Sequence, residues 1–292
     1  MKRKTGSDFA ATALSYGVLS VAFLVVVLPL MNLVAVSLSA ETEVLGGRVT
    51  FWPKGTHLNA YSYILSSKSF FTALSNTVLT TALGTVISMV STCLAGYALS
   101  RRQLPGRRWL MLFFIFAMLF NGGMIPTYLL VMQLKLLNSL MSVILVSCVS
   151  VYNLLIIKNY FEGLPAEIEE SARIDGARQL TVFLRVMLPL ATPVLATVGL
   201  FYAVGFWNEY FNAKLYITKR AKLLLQPYLQ AVIFEANDPT GAFRLDATQI
   251  TNVGSQTLIN ATVVCAMLPI CVLYPFLQKF FVSGVVLGAV KG

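Results

Sequence analysis

Apolar residues along this chain arrive in long runs separated by short polar stretches, and the runs are too long for the core of a water-soluble domain. The first covers about residues 10–38 and follows the basic start Lys2, Arg3 and Lys4. At about 1.5 Å of rise per residue, a helix of that length crosses the hydrocarbon of a bilayer. It exceeds the apolar part of a secretory signal, and Pro29 and Asn32 interrupt it without offering a small-residue cleavage site, so the pattern predicts a retained span. Later runs predict spans over about 72–99, 109–132, 140–157, 186–213 and 258–281. The expectation is an all-α integral membrane protein, a single domain over 1–292 with about six transmembrane helices.

Polar positions inside the runs qualify that picture. Asn76, Thr80, Thr81, Gly84, Thr85, Ser88 and Gly96 in the second run are small or hydroxylated, which suits close helix packing in lipid. Asn121-Gly122-Gly123 and Pro126 interrupt the third run. Two readings stand there: irregular backbone buried at membrane depth, or an early end of the span. Near the end of the fifth run, Glu209 either faces a bundle interior or marks a helix end at the interface, where Trp207 and Tyr210 would be belt residues. The segments 39–71 and 214–257 read as polar loops, the former with a short helix at most and with the chain's one histidine, His57, solvated.

One stretch breaks the alternation. Glu162 to Pro193 holds five of the 12 acidic residues and lies between the fourth and fifth runs, where 158–185 is read as a loop carrying a water-facing helix. Pro165 can open that helix, and Glu167, Glu169 and Glu170 then sit at the positive end of its dipole. Glu169 and Arg173 are four apart with the acid first, a surface pair worth about 0.2–0.5 kcal/mol. Ser171, Ala172, Gly176 and Ala177 are small and fall at helical spacing, which allows another protein to approach the backbone closely. Gly176 can end the helix, and Pro189 and Pro193 break or kink the chain beyond it. The segment reads as helix, bend, helix.

Composition and charge sharpen the class. Hydrophobic residues make up 57% of the chain and charged residues 12%, with a mean hydropathy of +0.74, as expected of a multi-span membrane protein. Cys93, Cys148, Cys265 and Cys271 lie in apolar runs without metal-ligand spacing and read as buried free thiols. The net charge of +10 reflects topology rather than nucleic acid. Arg101, Arg102, Arg107 and Arg108 crowd one short loop, and Lys158, Arg173, Arg178 and Arg185 lie in the docking segment. Placing these, both termini and the docking segment in the cytoplasm satisfies the positive-inside rule, against which only the Lys214–Lys222 cluster runs. No G-x-x-x-x-G-K-[ST] phosphate loop and no catalytic or metal-ligand constellation is present, so the chain is read as non-enzymatic.

Glu170-Ser171-Ala172, three residues, Gly176, nine residues and Val186-Met187-Leu188-Pro189 together resemble the EAA loop of the membrane subunits of ATP-binding-cassette importers. The run Ala172-Arg173-Ile174-Asp175-Gly176-Ala177 is similar to carbohydrate-uptake permeases of the maltose type, the shorter of two permease partners; Ser171 stands where that pattern has Ala. The resemblance implies a bacterial inner-membrane subunit with both termini cytoplasmic, which forms a translocation path by alternating access with a second permease. It implies a coupling helix between spans four and five that docks in an ATPase subunit, through Glu167, Glu170, Ser171, Ala172, Asp175, Gly176, Ala177 and Pro189. ATP and magnesium would be held by two such ATPases and not by this chain, and an extracytoplasmic solute-binding protein would deliver cargo.

For an oligosaccharide, hydroxyl and ring partners are available at Asn121, Tyr128, Asn153, Tyr202, Asn208, Glu209 and Tyr210. Trp207-Asn208-Glu209 resembles the maltose-type pattern. Whether these residues form a site or line a path past one held by the partner permease stays open. Basic outer loops would tolerate an acidic oligosaccharide such as an alginate fragment, and Asn121 to Tyr128 resembles permeases for larger or modified oligosaccharides. A secondary transporter or a membrane scaffold remain the other classes; the first would need intramembrane ion-coupling carboxylates beyond Glu209.

Overall fold

The computed structural model describes residues 6–120, 122–236 and 256–272, and every extended regular element among them is helical. The helices gather into two compact units, one formed by Met1–Lys68 with Leu229–Pro269 and the other by Ser69–Tyr228 with Ile270–Gly292.

In the first unit, α1 (Gly6–Ser37) is apolar over nearly its whole length, and Thr12–Ser37 is long enough to cross a membrane. Two short helices, α2 (Glu41–Leu45) and α3 (Asn59–Ser66), occupy the polar segment after it. That is more helix than expected, and His57 is half-buried rather than solvated. Glu41 anchors the unit's last helix. Its carboxylate accepts the backbone N–H groups of Gln256 and Thr257, each at 3.2 Å, and the Thr257 hydroxyl at 2.8 Å, so an anion sits where the helix dipole favours one. That helix, Gln256–Val272, covers the first part of the expected sixth span, whose remainder lies outside the described residues, as does the chain's tail.

The second unit is built round α4 (Lys68–Ser100), an unbroken apolar helix of 33 residues. After it come α5 (Arg107–Leu119) and α6 (Met124–Gln133), then α7 (Leu140–Ser147) and α8 (Val151–Glu162), then α9 (Ala166–Ile174). The helices α10 (Gln179–Leu190), α11 (Thr192–Trp207) and α12 (Phe211–Tyr216) follow, and α13 (Leu225–Ala236) begins in this unit and continues, from Leu229, in the first. Among the described residues two helices are long and apolar enough to cross a membrane unbroken, and three bent pairs, α5/α6, α7/α8 and α10/α11, bring the count there to as many as five.

The bends correct several expected boundaries. The third run is broken at its glycines, as its residues suggest. The fourth, expected to run straight over 140–157, bends by 51° between α7 and α8 and extends to Glu162. Ser150 causes the restart: its hydroxyl accepts the Asn153 N–H at 3.3 Å and caps α8. The fifth, expected over 186–213, begins at Gln179, bends by 82° and closes at Trp207. Both ends of the expected 158–185 loop are therefore helical. Within α10, Phe183–Met187 forms a π turn directly before Leu188-Pro189. A wider turn accommodates the missing proline N–H and the crowding of its ring against the carbonyl four residues back. The expected 214–257 loop likewise contains α13, and α12 runs into its start. Cys93 and Cys265 are buried, whereas Cys148 is half-buried and Cys271 exposed.

The core of the second unit lies where α4, α8, α10 and α11 converge, on Tyr97, Ile157, Phe161, Val182, Phe183, Met187, Tyr202 and Phe206. Small residues set the helix distances. A Cβ at Gly96 would lie 2.9 Å from Ile157, and one at Gly84 would lie 2.8 Å from the Phe206 ring. Because Phe206 is 2% exposed, its ring has little room to yield. Gly84→Ala should cost about 1–3 kcal/mol by overpacking and lower the melting temperature of the purified protein. Gly199→Ala, whose nearest neighbour is Met89 at 3.8 Å, should leave it unchanged.

Candidate functional site

The charged segment folds as two short helices with a left-handed corner. Asp175 caps α9, and Gly176 comes next at φ +80°. Ala177 donates its N–H to the Ala172 carbonyl and Gly176 to that of Arg173, both at 3.0 Å, a Schellman closure that a Cβ at 176 would strain. Helix α10 begins at Gln179, three residues on.

Helix α9 has two unlike faces. Outward stand Glu167, Glu170, Ser171, Asp175 and Gly176, together with Ile174, whose side chain is 86% exposed. Ala172 and Ala177, expected on the same docking face, instead turn inward and pack against the core cluster of α4, α8, α10 and α11. Small residues fit either side of a helix, and here their size lets α9 lie flat on the helices beneath. Pro189 is exposed near the end of α10, away from α9 along the chain.

Glu169 is the sharper surprise. Its spacing along the chain makes it a surface partner of Arg173, but it is 7% exposed. One oxygen accepts from Arg173 Nη2 at 2.9 Å and from the Tyr97 hydroxyl at 3.5 Å, while the other pairs with Arg101 Nη1. The Arg101 guanidinium lies 4.1 Å from the centre of the Tyr97 ring, a cation–π contact. Burial pulls Arg101 below its ordinary proton affinity, yet an arginine stays charged at any physiological pH. Its Nε and Nη2 find no acceptor among the described residues. A second cluster lies alongside: Arg107 pairs with Glu162, which also accepts from Lys158 at 2.7 Å, and Arg107 Nε donates to the Leu99 carbonyl at 2.7 Å. Both clusters tie the end of α4 and the loop after it to the docking segment. Helix α9 is thereby joined to a long apolar helix by a buried carboxylate, and Ala172 and Ala177 pack against the core cluster.

Three of the expected path residues, Asn153, Tyr202 and Glu209, line one cavity of about 440 Å³ together with Ser147, Ser150, Tyr152, Phe201, Gly205 and Phe206. Tyr202 is buried, and its hydroxyl bonds Thr92 at 2.8 Å and accepts the Ser150 N–H at 3.1 Å, so the phenol closes the gap at the α7/α8 bend. Glu209 accepts the Asn212 N–H at 3.0 Å and Asn212 Nδ2 at 3.2 Å, with Ser147 Oγ at 3.5 Å. It caps α12 and is a helix-end carboxylate that also lines the cavity. Tyr152, 59% exposed, offers the freest aromatic surface of the set; its place in an unbroken apolar run concealed it.

The other expected path residues lie elsewhere. Tyr128 stacks on Tyr216 with ring centres 6.2 Å apart. The Asn208 side chain donates to the Val204 carbonyl at 3.0 Å and accepts from Gln226 Nε2 at 3.3 Å, so it ends α11 rather than facing the cavity. Tyr210 sits at the start of α12. Asn121 lies outside the described residues.

Comparison with known proteins adds an independent line. The family described as "binding-protein-dependent transport system inner membrane component" matches residues 91–286. The polygalacturonan/rhamnogalacturonan transport system permease protein YtcP of Bacillus subtilis is 40% identical over 285 residues, covering 96% of this chain and 97% of that protein. Protein LplC of the same organism is 42% identical over 268 residues, covering 92% and 90%. The arabinooligosaccharides transport system permease protein AraQ of Halalkalibacterium halodurans is 30% identical over 302 residues, covering the whole of both. Among solved structures, a bacterial ABC transporter involved in the import of the acidic polysaccharide alginate matches with a TM-score of 0.88 at 30% identity, over 96% of this chain and 100% of that one.

Proposed function

We infer the work of this chain from the fact that it belongs to the binding-protein-dependent transport system inner membrane component family: it is a permease subunit of an ATP-binding-cassette importer, and its cargo is assigned here as an oligosaccharide. Such a subunit acts with a partner permease, ATPase subunits and a binding protein. In this reading α9 is seated in a cleft of a cytoplasmic ATPase, which holds the ATP and magnesium, and both termini of the chain lie on that side. Closure of two ATPases moves α9. The Glu169 cluster and the inward alanines pass the movement to α4 and α8, and the cavity beside α11 changes its access.

The observation that carries this reading is the division of α9 into an open face, Glu167, Glu170, Ser171, Ile174 and Gly176, and a face bolted to the spans by Glu169. Ile174, 86% exposed, stands among the polar and small residues of that open face, where a seated partner would cover it. The test is to purify the chain with its partner subunits and measure ATP hydrolysis with and without saccharide-loaded binding protein. Stimulation by loaded protein is expected; hydrolysis that ignores it would contradict the reading.

The names of the relatives support an oligosaccharide, and the alginate importer supports an acidic one. The cavity's charged group is a carboxylate, Glu209, already bonded to Asn212 and Ser147. Hydroxyl and ring contacts are therefore the part of recognition assigned to this chain, and any acidic group is met outside the cavity. Tyr152→Ala should lower saccharide uptake in proteoliposomes several-fold, since one ring–sugar contact is worth about 1 kcal/mol, with unstimulated ATP hydrolysis unchanged.

A further inference from the structure

A cavity of about 620 Å³ opens at the start of α5 and touches the charged segment only at Lys158. Its lining joins the cations Arg102, Arg107, Arg108 and Lys158 to the apolar Leu104, Met111, Leu112 and Ile115. Glu162 is the acid bonded to this group, and it is taken by Arg107 and Lys158. Arg102 and Arg108 are exposed and have no acidic partner among the described residues. Trp109 also lines it and is 76% exposed, with Phe113 at 65% and Phe116 at 58% further along α5.

We propose that this cavity binds the headgroup of an anionic phospholipid, with the phosphate between Arg102 and Arg108 and an acyl chain along the exposed face of α5. Charge complementarity selects the occupant: two guanidiniums without a carboxylate match a phosphate diester bidentately. The apolar wall excludes a free anion as the natural ligand, because inorganic phosphate has nothing to place against Met111, Leu112 and Ile115. An exposed tryptophan at the point where cations give way to an apolar helix marks the headgroup level of a bilayer. Basic pockets at this level are suited to anionic lipid headgroups. A second permease covering the same face would need acids opposite Arg102 and Arg108, and would exclude the lipid.

The assembled transporter is reconstituted into nanodiscs of phosphatidylcholine containing phosphatidylglycerol, extracted, and weighed by native mass spectrometry for the lipid it retains. Phosphatidylglycerol lies in both leaflets of such discs, so the result does not depend on orientation or on how α9 docks. Wild-type protein is expected to retain phosphatidylglycerol in preference to phosphatidylcholine. Arg102→Ala with Arg108→Ala should reduce that preference roughly tenfold, whereas Arg102→Lys with Arg108→Lys, which keeps the charge without the fork, should fall between it and the wild type. Arg178→Ala with Arg185→Ala, a loss of equal charge elsewhere, should keep all of it. No preference in the wild type, an unchanged preference in the first double variant, or equal losses in the two alanine doubles would each overturn the proposal.

Discussion

Glu169→Gln is expected to leave the protein inserted and assembled while cutting stimulated ATP hydrolysis at least tenfold. The substitution keeps the shape of the side chain and removes the charge that Arg101 and Arg173 share. Breaking a buried ion pair by removing one member costs about 3–5 kcal/mol. Arg101 is partly solvated, its side chain being 23% exposed, so a cost of about 2 kcal/mol is the better figure, roughly a thirtyfold shift away from the seated position of α9. The control is the double variant Arg101→Met with Glu169→Met. Apolar residues of similar volume in place of both partners remove the uncompensated charge, so much of the coupling should return. A cycle measured on stimulated hydrolysis would show this non-additivity, whereas independent, additive losses would remove the clamp from the mechanism.

Gly176→Arg is expected to abolish stimulation altogether, with the spans still folded. Two effects act at one position. The residue sits at φ +80°, where a side chain costs about 1–2 kcal/mol. No atom lies within 4 Å of the direction a Cβ would take, so the new side chain projects outward, into whatever is seated on α9. Gly176→Ala separates the two, since it brings the strain without the bulk. It should lose stimulation only several-fold, and its melting temperature should match that of the arginine variant. Full stimulation in Gly176→Arg would mean that the corner faces solvent in the working complex.

Much of this was legible along the chain because the relevant physics is local. Runs of apolar residues mark membrane-crossing segments whatever they pack against, and the position after α9 needs a residue at ease with positive φ, which Gly176 announces. The Asn121 to Pro126 break shows itself for the same reason. The α7/α8 bend does not, because a hydroxyl at Ser150 makes it, without glycine or proline, inside an unbroken apolar run. Glu169 misleads for a different reason. Read along its own helix it is a surface partner of Arg173, and only the fold brings Tyr97 and Arg101 to it from the end of α4. Ala172 and Ala177 pose the same problem, since small size suits an open docking face and a closely packed one equally. Of the residues expected along a path, Asn153, Tyr202 and Glu209 line one cavity, while Tyr128 and Asn208 have their partners elsewhere, a division set by helix ends and bends rather than by residue type. Family membership removes the secondary-transporter and scaffold readings that composition had left open.

The central claim is that the bare face of α9 is covered by a cytoplasmic ATPase. It is tested most directly with Ile174→Cys in a chain whose four native cysteines are replaced, labelled with a membrane-impermeant maleimide in inside-out vesicles. Rapid labelling is expected of the permease alone, and strong protection once the ATPase subunits are bound. Equal labelling in both states, or labelling only from the opposite side of the membrane, would contradict it.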